Sequence, residues 1–131
     1  MSTAVKHHSE GFLAIVHDAK KRVKEIDIDE YKRMVAAGDA GQLVDVREDS
    51  EWQAAHAAGA MHLSKGIIER DIEKTFPDKD TKLVLYCGGG YRSALASDNL
   101  QKMGYHDILS LDGGWRAIES SGLPLVRTPG E

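Results

Sequence analysis

The sequence is poor in cysteine, proline and aromatic residues, and it has no strong excess of one charge. Its 131 residues include one cysteine, three prolines and 6% aromatic residues, with a formal net charge of −4. The single cysteine excludes a disulfide within the chain and leaves no second thiol to react with a modified first one. Such cysteine usage is typical of a reducing compartment, so we expect a cytoplasmic protein.

Long apolar runs and dense basic patches are also missing. No stretch approaches the roughly 20 apolar residues of a membrane span. The run from Phe12 to Val16 is too short for the core of a signal peptide. Lysine and arginine are spread along the chain, and the one basic group, residues 20–24, is typical of a solvated helix face. We therefore expect neither a membrane nor nucleic acid as a partner.

What remains is the composition of an ordinary globular domain, with 41% hydrophobic and 29% charged residues. Strand-like and helix-like segments alternate along the chain, which predicts an α/β fold with a central, mostly parallel sheet covered by helices on both faces. An amphipathic helix from Glu10 to about Lys24, capped by Ser9, precedes this pattern. We expect it to pack on its own domain; a dimer contact is the alternative. The predicted division is a tail and extra helix over residues 1–24 and the main domain over residues 25–131.

Local sequence patterns predict most of the helices and strands but no element at the C-terminal end of the chain. Ile26 and Ile28 predict a short edge strand, and Ser50 is expected to cap a helix reaching about Ala57. No periodicity is seen from Pro124 onward. The other expected elements are helices over residues 29–37, 67–76, 93–103 and 115–121 and strands over residues 42–47, 61–63, 82–86 and 108–111.

The most informative segment is the loop from Cys87 to Arg92, which has three consecutive glycines after the thiol. It lies between a predicted strand end and a predicted helix start. Glycines let the backbone turn so that several N–H groups converge on one anion, and the helix dipole adds to this field. An isolated cysteine is usually a small buried apolar residue. The glycine-rich junction instead favours a reactive thiolate.

Two charged residues accompany a second apolar strand. Asp45 and Arg47 lie on one face of it because side chains alternate along a strand. We expect them mainly to pair with neighbours and hold adjacent loops. Arg47 is at the carboxyl end of the strand, where open α/β sheets bind ligands, so a supporting role at the site is the alternative.

Together these residues resemble the rhodanese-like sulfurtransferases. The loop closed by Arg92 and Ser93 is similar to that family's active-site loop. Further segments fit in the family's order, so the resemblance covers about residues 25–131; they are Leu43–Glu48, His56–Leu63 and Leu111–Trp115. Ala58 stands where many relatives have proline, a difference expected to affect loop stiffness.

The resemblance implies sulfur transfer with Cys87 as the catalytic nucleophile, which takes sulfane sulfur from a small anionic donor and passes it to cyanide or a thiol. It implies substrate contacts from the loop residues, which are Gly88, Gly89, Gly90, Tyr91 and Arg92. Ser93, Asp45 and Arg47 are expected to support the loop. Arg92 has two open roles, toward the donor or inward as a brace. No metal or cofactor is expected.

Two other functions stay open. Phosphatases and arsenate reductases of related type use a longer loop, whereas here four residues separate Cys87 from Arg92. A persulfide carrier that serves a sulfur-accepting protein has the same sequence features as an enzyme. The loop interior is small and weakly cationic, so thiosulfate is expected to be a poorer donor than polysulfide, a persulfide or a mercapto acid.

Overall fold

Short apolar strands alternate with amphipathic helices along the chain. The computed structural model describes residues 8–128. In this part of the chain the helices are α1 (Glu10–Lys20), α2 (Ile28–Ala36), α3 (Asp49–Ala54), α4 (Ile68–Thr75), α5 (Tyr91–Lys102) and α6 (Gly114–Glu119). The strands are β1 (Lys24–Ile26), β2 (Gln42–Asp45), β3 (Ala55–Ala57), β4 (Met61–His62), β5 (Leu83–Tyr86), β6 (Ile108–Leu111) and β7 (Leu125–Arg127).

Five strands form one parallel sheet in the order β1-β6-β5-β2-β4. The central strand β5 is buried along its whole length, and its sequence, Leu83–Tyr86, is correspondingly apolar throughout. A separate antiparallel pair joins β3 to β7. The predicted α/β class, a mostly parallel sheet with helices on both faces and an N-terminal helix, is confirmed.

Alternation along the strands divides the core between the two faces of the sheet. Leu83 and Leu85 point to the face covered by α4 and α5, and Val84 and Tyr86 point to the face covered by α2 and α6. Each face buries a separate apolar cluster. The carboxyl end of β5 is thereby held from both sides, and the chain leaves it directly into Cys87.

Helix α1 packs mainly against α5. Its apolar stripe buries Val16 and Ala19 completely or nearly so. Beyond the helix, Arg22 makes a two-point ion pair with Asp98 of α5, with nitrogen–oxygen distances of 2.9 and 2.8 Å. The helix therefore packs on its own domain. Ser9 caps it by accepting a hydrogen bond from the Phe12 amide, as predicted.

Near the N-terminus two predicted boundaries are wrong. The first helix ends at Lys20, before Lys24, because Lys24 pairs with Leu109 at the edge of the sheet. Ile28 does not continue the strand. It opens α2, since the Asp27 carboxylate caps that helix by accepting the amide of Glu30 at 2.8 Å.

The prediction for residues 50–57 is also corrected. Glu48, and not Ser50, caps α3, and its side chain and that of Glu51 satisfy each other's backbone amides. The helix ends at Ala54, and the next three residues form β3. The partner of β3 is β7, in the segment after Pro124 that has no periodic pattern.

Strand β3 also fixes the environment of the half-buried Trp52. Its ring is stacked on His56, with centroids 3.5 Å apart, and is 4.9 Å from the ring of His62.

Within residues 8–128, no helix is both long and apolar enough to cross a membrane. The cytoplasmic location and the division after residue 24 stay predictions.

Candidate active site

Cys87 lies at the carboxyl end of the central strand β5, at the edge of the sheet where open α/β folds place their ligands. The residue is only 1% exposed, yet it lines a cavity of about 810 Å³. The other lining residues are His8, Phe12, Glu51, Gly88, Gly89, Tyr91, Arg92, Trp115 and Arg116. The thiol is therefore at the base of a cavity large enough for more than a single sulfur atom.

Backbone amides surround the sulfur. The Gly90 N–H donates to Cys87 Sγ at 3.1 Å and the Ser93 N–H at 3.4 Å. Gly90 has a φ of 109°, a conformation that glycine adopts freely, and this turn directs both amides inward. Helix α5 begins at the next residue, so its positive end also faces the sulfur. The arrangement stabilises negative charge on a thiolate or on a sulfur attached to it.

Helix α6 holds the loop from behind. The Trp115 amide donates to the Cys87 carbonyl at 2.7 Å, and the Arg116 amide donates to the Gly88 carbonyl at 3.4 Å. Because the C=O and N–H of one peptide point in opposite directions, the amides of Gly88 and Gly89 point away from α6. The close approach requires Gly114, since a Cβ there would lie 2.2 Å from the Cys87 carbonyl oxygen.

Ser93 links the thiol to a neighbouring strand. Its hydroxyl is 3.6 Å from Cys87 Sγ and 2.8 Å from the hydroxyl of Ser110 on β6. Ser93 and Ser110 are both completely buried. A thiolate at Cys87 can accept the Ser93 proton while Ser110 donates to the Ser93 oxygen, so the chain of hydroxyls supports the charged form.

Arg92 is turned toward a carboxylate from another helix. Its guanidinium makes a two-point contact with Glu51 of α3 at 3.1 and 3.4 Å. Burial disfavours the charge, but the hydrogen bonds that Arg92 donates to Glu51, together with nearby negative charge, outweigh it and raise the pKa of Arg92. Burial likewise acts against the Glu51 carboxylate, but Arg92 and the Glu48 amide lower its pKa. Both groups are therefore charged at neutral pH, and Glu51 offsets much of the positive charge of the loop.

Asp45 and Arg47 bind each other in the interior next to this site. Their closest contact is 2.8 Å, and both side chains are buried. Arg47 also donates to the Ala55 carbonyl at 2.6 Å, and its guanidinium carbon lies 4.6 Å from the Trp115 ring centroid. The described residues that line the cavity do not include Asp45 or Arg47. The pair connects β2, β3 and α6.

Five residues that line the cavity were not among the predicted site residues; they are His8, Phe12, Glu51, Trp115 and Arg116. Glu51 was not predicted, although its spacing from Glu48 is that of a capping box and so placed it at the start of α3. Phe12 lies in the first turn of α1 and His8 just before the helix, with ring centroids 6.1 and 4.9 Å from that of Tyr91. No sequence pattern indicates which part of the fold α1 covers.

Among residues 8–128 no cluster of histidine, cysteine and acidic side chains is arranged to hold a metal ion.

Comparison with known proteins agrees with this geometry. Residues 27–121 match the Rhodanese family, described as the Rhodanese-like domain. The site and fold thus define a protein of the rhodanese class, built around one cysteine in a glycine-rich loop. The chain belongs to the rhodanese-like family.

Three curated relatives carry sulfur-related names. The chain is 33% identical over 108 residues to a sulfurtransferase of Allochromatium vinosum, a match that covers 82% of this chain and 99% of the relative. It is 30% identical over 100 residues to the thiosulfate sulfurtransferase GlpE of Vibrio cholerae, covering 76% and 92%. It is 26% identical over 94 residues to the putative sulfur carrier protein YrkF of Bacillus subtilis, covering 72% of this chain but only 50% of that longer protein.

Two solved structures resemble most of the chain. A protein of unknown function from Rhodopseudomonas palustris, described as a possible tyrosine phosphatase, has a TM-score of 0.80 at 25% identity and matches 93% of this chain and 98% of its own. The polysulfide-sulfur transferase homodimer of Wolinella succinogenes has a TM-score of 0.76 at 25% identity, matching 92% and 90%. Both matches extend beyond the residues that the family match covers.

Proposed function

We propose that this protein is a sulfurtransferase that carries sulfane sulfur as a persulfide on Cys87. The observation that carries the proposal is the position of the Cys87 sulfur, which accepts the amides of Gly90 and Ser93 at the base of an open cavity. The names of the relatives from Allochromatium vinosum and Vibrio cholerae support the same class of reaction.

The proposed reaction has two steps. The Cys87 thiolate attacks the outer sulfur of a donor such as thiosulfate, forming an Sγ–S bond as the donor's S–S bond breaks, and sulfite leaves with the electron pair. Cyanide or a thiolate then attacks the outer sulfur, and the Cys87 thiolate leaves. In both steps negative charge moves along a line of sulfur atoms, and the amides of the loop stabilise it without a metal.

The roles of the remaining residues follow from their contacts. Gly88, Gly89 and Tyr91 shape the entrance, and Gly90 and Ser93 contact the sulfur. Arg92 braces the loop through Glu51 and, with Arg116, is a cation that lines the cavity and can face an anionic donor. Asp45 and Arg47 have a structural part. The donor and acceptor are small molecules or an accepting protein, and no cofactor takes part.

Mass spectrometry tests this directly. The purified protein is incubated with thiosulfate or with inorganic polysulfide, and its intact mass is measured beside that of a Cys87→Ala variant. We expect a gain of one sulfur atom on the native chain alone, removed by cyanide. Absence of the gain with every donor would exclude the proposal.

A sulfur carrier is the second candidate, favoured by the name of the Bacillus subtilis relative. A carrier takes up one sulfur atom on Cys87 and does not pass it to small acceptors. An enzyme, in contrast, forms thiocyanate over many turnovers with small substrates. The phosphatase alternative is weaker, because Glu51 already forms an ion pair with Arg92, the loop arginine that would have to bind a phosphate. Hydrolysis of an aryl phosphate that depends on Cys87 would favour it instead.

A further inference from the structure

Aromatic residues at and just before the start of α1 pack on Tyr91 and form an aromatic wall beside the active-site loop. The rings of His8, Phe12 and Tyr91 lie together, with the His8 and Phe12 centroids 5.1 Å apart and each close to Tyr91. These three residues, here called the aromatic wall, line the same cavity as Cys87. Helix α1 precedes the family match, which begins at residue 27. His8 and Phe12 therefore add to the wall from outside the family match, whereas Tyr91 belongs to the matched residues.

Several contacts hold this wall in place. Ser9 caps the helix beside it, the buried Val16 and Ala19 anchor it on α5, and Arg22 pairs with Asp98 beyond its end. Tyr91 is the first residue of α5, the helix whose N-terminus faces the sulfur. Tyr91 and the Ser93 amide that contacts the sulfur thus belong to the same helix, and His8 and Phe12 pack on Tyr91.

The wall changes what the cavity recognises. At about 810 Å³ the cavity is in the size range of pockets for organic ligands, and it is far larger than a thiosulfate ion. Trp115 also lines the cavity and adds to its aromatic surface. Charge recognition is weakened because Glu51 pairs with Arg92. The exposed Arg116 offers a guanidinium to a carboxylate on a larger molecule.

We propose that Phe12 and His8 determine donor specificity and select an organic persulfide over thiosulfate. This inference rests on the proposed function. The Cys87 thiolate attacks the terminal sulfur of RS–SH, the new Sγ–S bond forms as the RS–S bond breaks, and the electron pair leaves with the organic thiolate. The proton stays on the transferred sulfur. The aromatic wall binds the carbon body of R, which thiosulfate lacks.

The test compares loading of the full-length protein by two donors. Rates of sulfur gain on Cys87 are measured by rapid-mixing mass spectrometry with glutathione persulfide and with thiosulfate. Phe12→Ala removes the ring, and Phe12→Leu keeps an apolar side chain if the alanine variant loses helix α1. Ile15→Ala is the matched control, because Ile15 is in the same helix but 56% exposed and does not line the cavity.

The measured quantity is the ratio of the two loading rates. We expect Phe12→Ala to lower the ratio of persulfide to thiosulfate loading about tenfold and His8→Ala about threefold, while Ile15→Ala leaves it unchanged. An equal fall in both rates, or a ratio within about twofold of the native one, would overturn the inference while leaving the proposed function standing. No loading of the native protein by either donor would overturn the proposed function, and the inference with it.

Discussion

The carboxylate of Glu51 and the guanidinium of Arg92 form a two-point ion pair across the mouth of the candidate active site. The pair joins α3 to the loop that carries Cys87. It holds the loop arginine in one orientation and, at the same time, reduces the positive charge available to an incoming anion. The weak cationic character expected from the loop sequence is thus reduced further by a residue far away in the chain.

Replacement of Glu51 is expected to improve the use of anionic donors. In Glu51→Gln the guanidinium of Arg92 is released while the amide oxygen can still accept the Glu48 N–H. We expect the KM for thiosulfate to fall about fivefold, since a partly exposed ion pair of this type is worth about 1 kcal/mol. Steady-state thiocyanate formation gives the value. Glu48→Gln removes the same charge nearby without a contact to Arg92, and an equal effect there would refute the explanation.

The buried hydroxyls of Ser93 and Ser110 give a second prediction. Ser93→Ala removes the hydroxyl next to the sulfur and is expected to slow sulfur loading of Cys87 about tenfold, the value of one hydrogen bond to a charged group. Ser110→Ala acts through Ser93 and is expected to have a smaller effect. Single-turnover loading at fixed pH measures both. A larger effect for Ser110→Ala than for Ser93→Ala would contradict the proposed order.

Gly114 provides a test of the support behind the loop. Its φ is 49°, and a Cβ at this position would lie 2.2 Å from the Cys87 carbonyl oxygen, so Gly114→Ala must displace the active-site loop. We expect a loss of more than about 2 kcal/mol in the free energy of unfolding, at the upper end of ordinary substitutions. Gly122→Ala is the control, because its φ is 86° but no atom lies within 4 Å.

Urea denaturation distinguishes the two glycine variants. Backbone strain alone predicts about 1 kcal/mol for Gly122→Ala. If both variants lost the same stability, the contact with the Cys87 carbonyl would have no measurable energetic role. The folded fraction of Gly114→Ala should also load sulfur more slowly, since the peptide planes that aim the loop amides are shifted.

The buried pair of Asp45 and Arg47 is expected to matter for folding. Arg47→Ala leaves the fully buried Asp45 carboxylate without its partner, which typically costs about 3–5 kcal/mol. The double variant Asp45→Asn with Arg47→Met removes both charges and should be less destabilised than Arg47→Ala. Urea denaturation of Asp45→Asn, Arg47→Met and the double variant gives the coupling energy. Additive losses would show that the pair does not act as a unit.

Acid should weaken the attachment of α1 through Asp98. Hydrogen bonds from Arg22 lower the pKa of Asp98 in the folded state. A carboxyl with a lowered folded-state pKa contributes stability above its unfolded value, about 3.9, and this contribution is lost as the pH falls through the folded value. We therefore expect Asp98→Asn to flatten the fall in stability below about pH 4, as followed by denaturant unfolding.

Asp18 supplies the matched comparison for that experiment. It contacts the same arginine, but its side chain is 59% exposed, so solvent screens the interaction. Asp18→Asn should change the acid dependence less than Asp98→Asn does. A larger effect for Asp18→Asn than for Asp98→Asn would show that the exposed contact of Arg22 contributes more to the attachment of α1.

The sequence was sufficient for the central features of the fold because they depend on local patterns. The apolar run Leu83–Tyr86, the glycines after Cys87 and the spacing of α5 place the thiol at a strand end before a helix. The short strands β3 and β7 could not be predicted, because a segment of three residues is too short to show a periodic pattern. Their pairing also joins residues that are far apart in the chain, such as Ala55 and Arg127. The boundary at Ser50 failed for a related reason, because Glu48 competes as the cap.

The candidate site divides in the same way. The residues of the loop are consecutive in the sequence, so they could be predicted as one site. Glu51, His8 and Phe12 reach the cavity only through packing of α3 and α1 on the domain, and no local rule specifies those contacts. The two alternatives for Arg92 could not be separated without the position of Glu51, which lies 41 residues away.

The two tryptophans occupy environments that make them separate optical probes. Trp115 lines the cavity beside the reacting sulfur and contacts Arg47, whereas Trp52 is stacked on His56 outside the cavity lining. We therefore expect the fluorescence of Trp115 to respond to events at Cys87, and that of Trp52 to report on its stacking with His56. In a Trp52→Phe background, the remaining emission is expected to give a label-free signal for the proposed sulfur loading of Cys87.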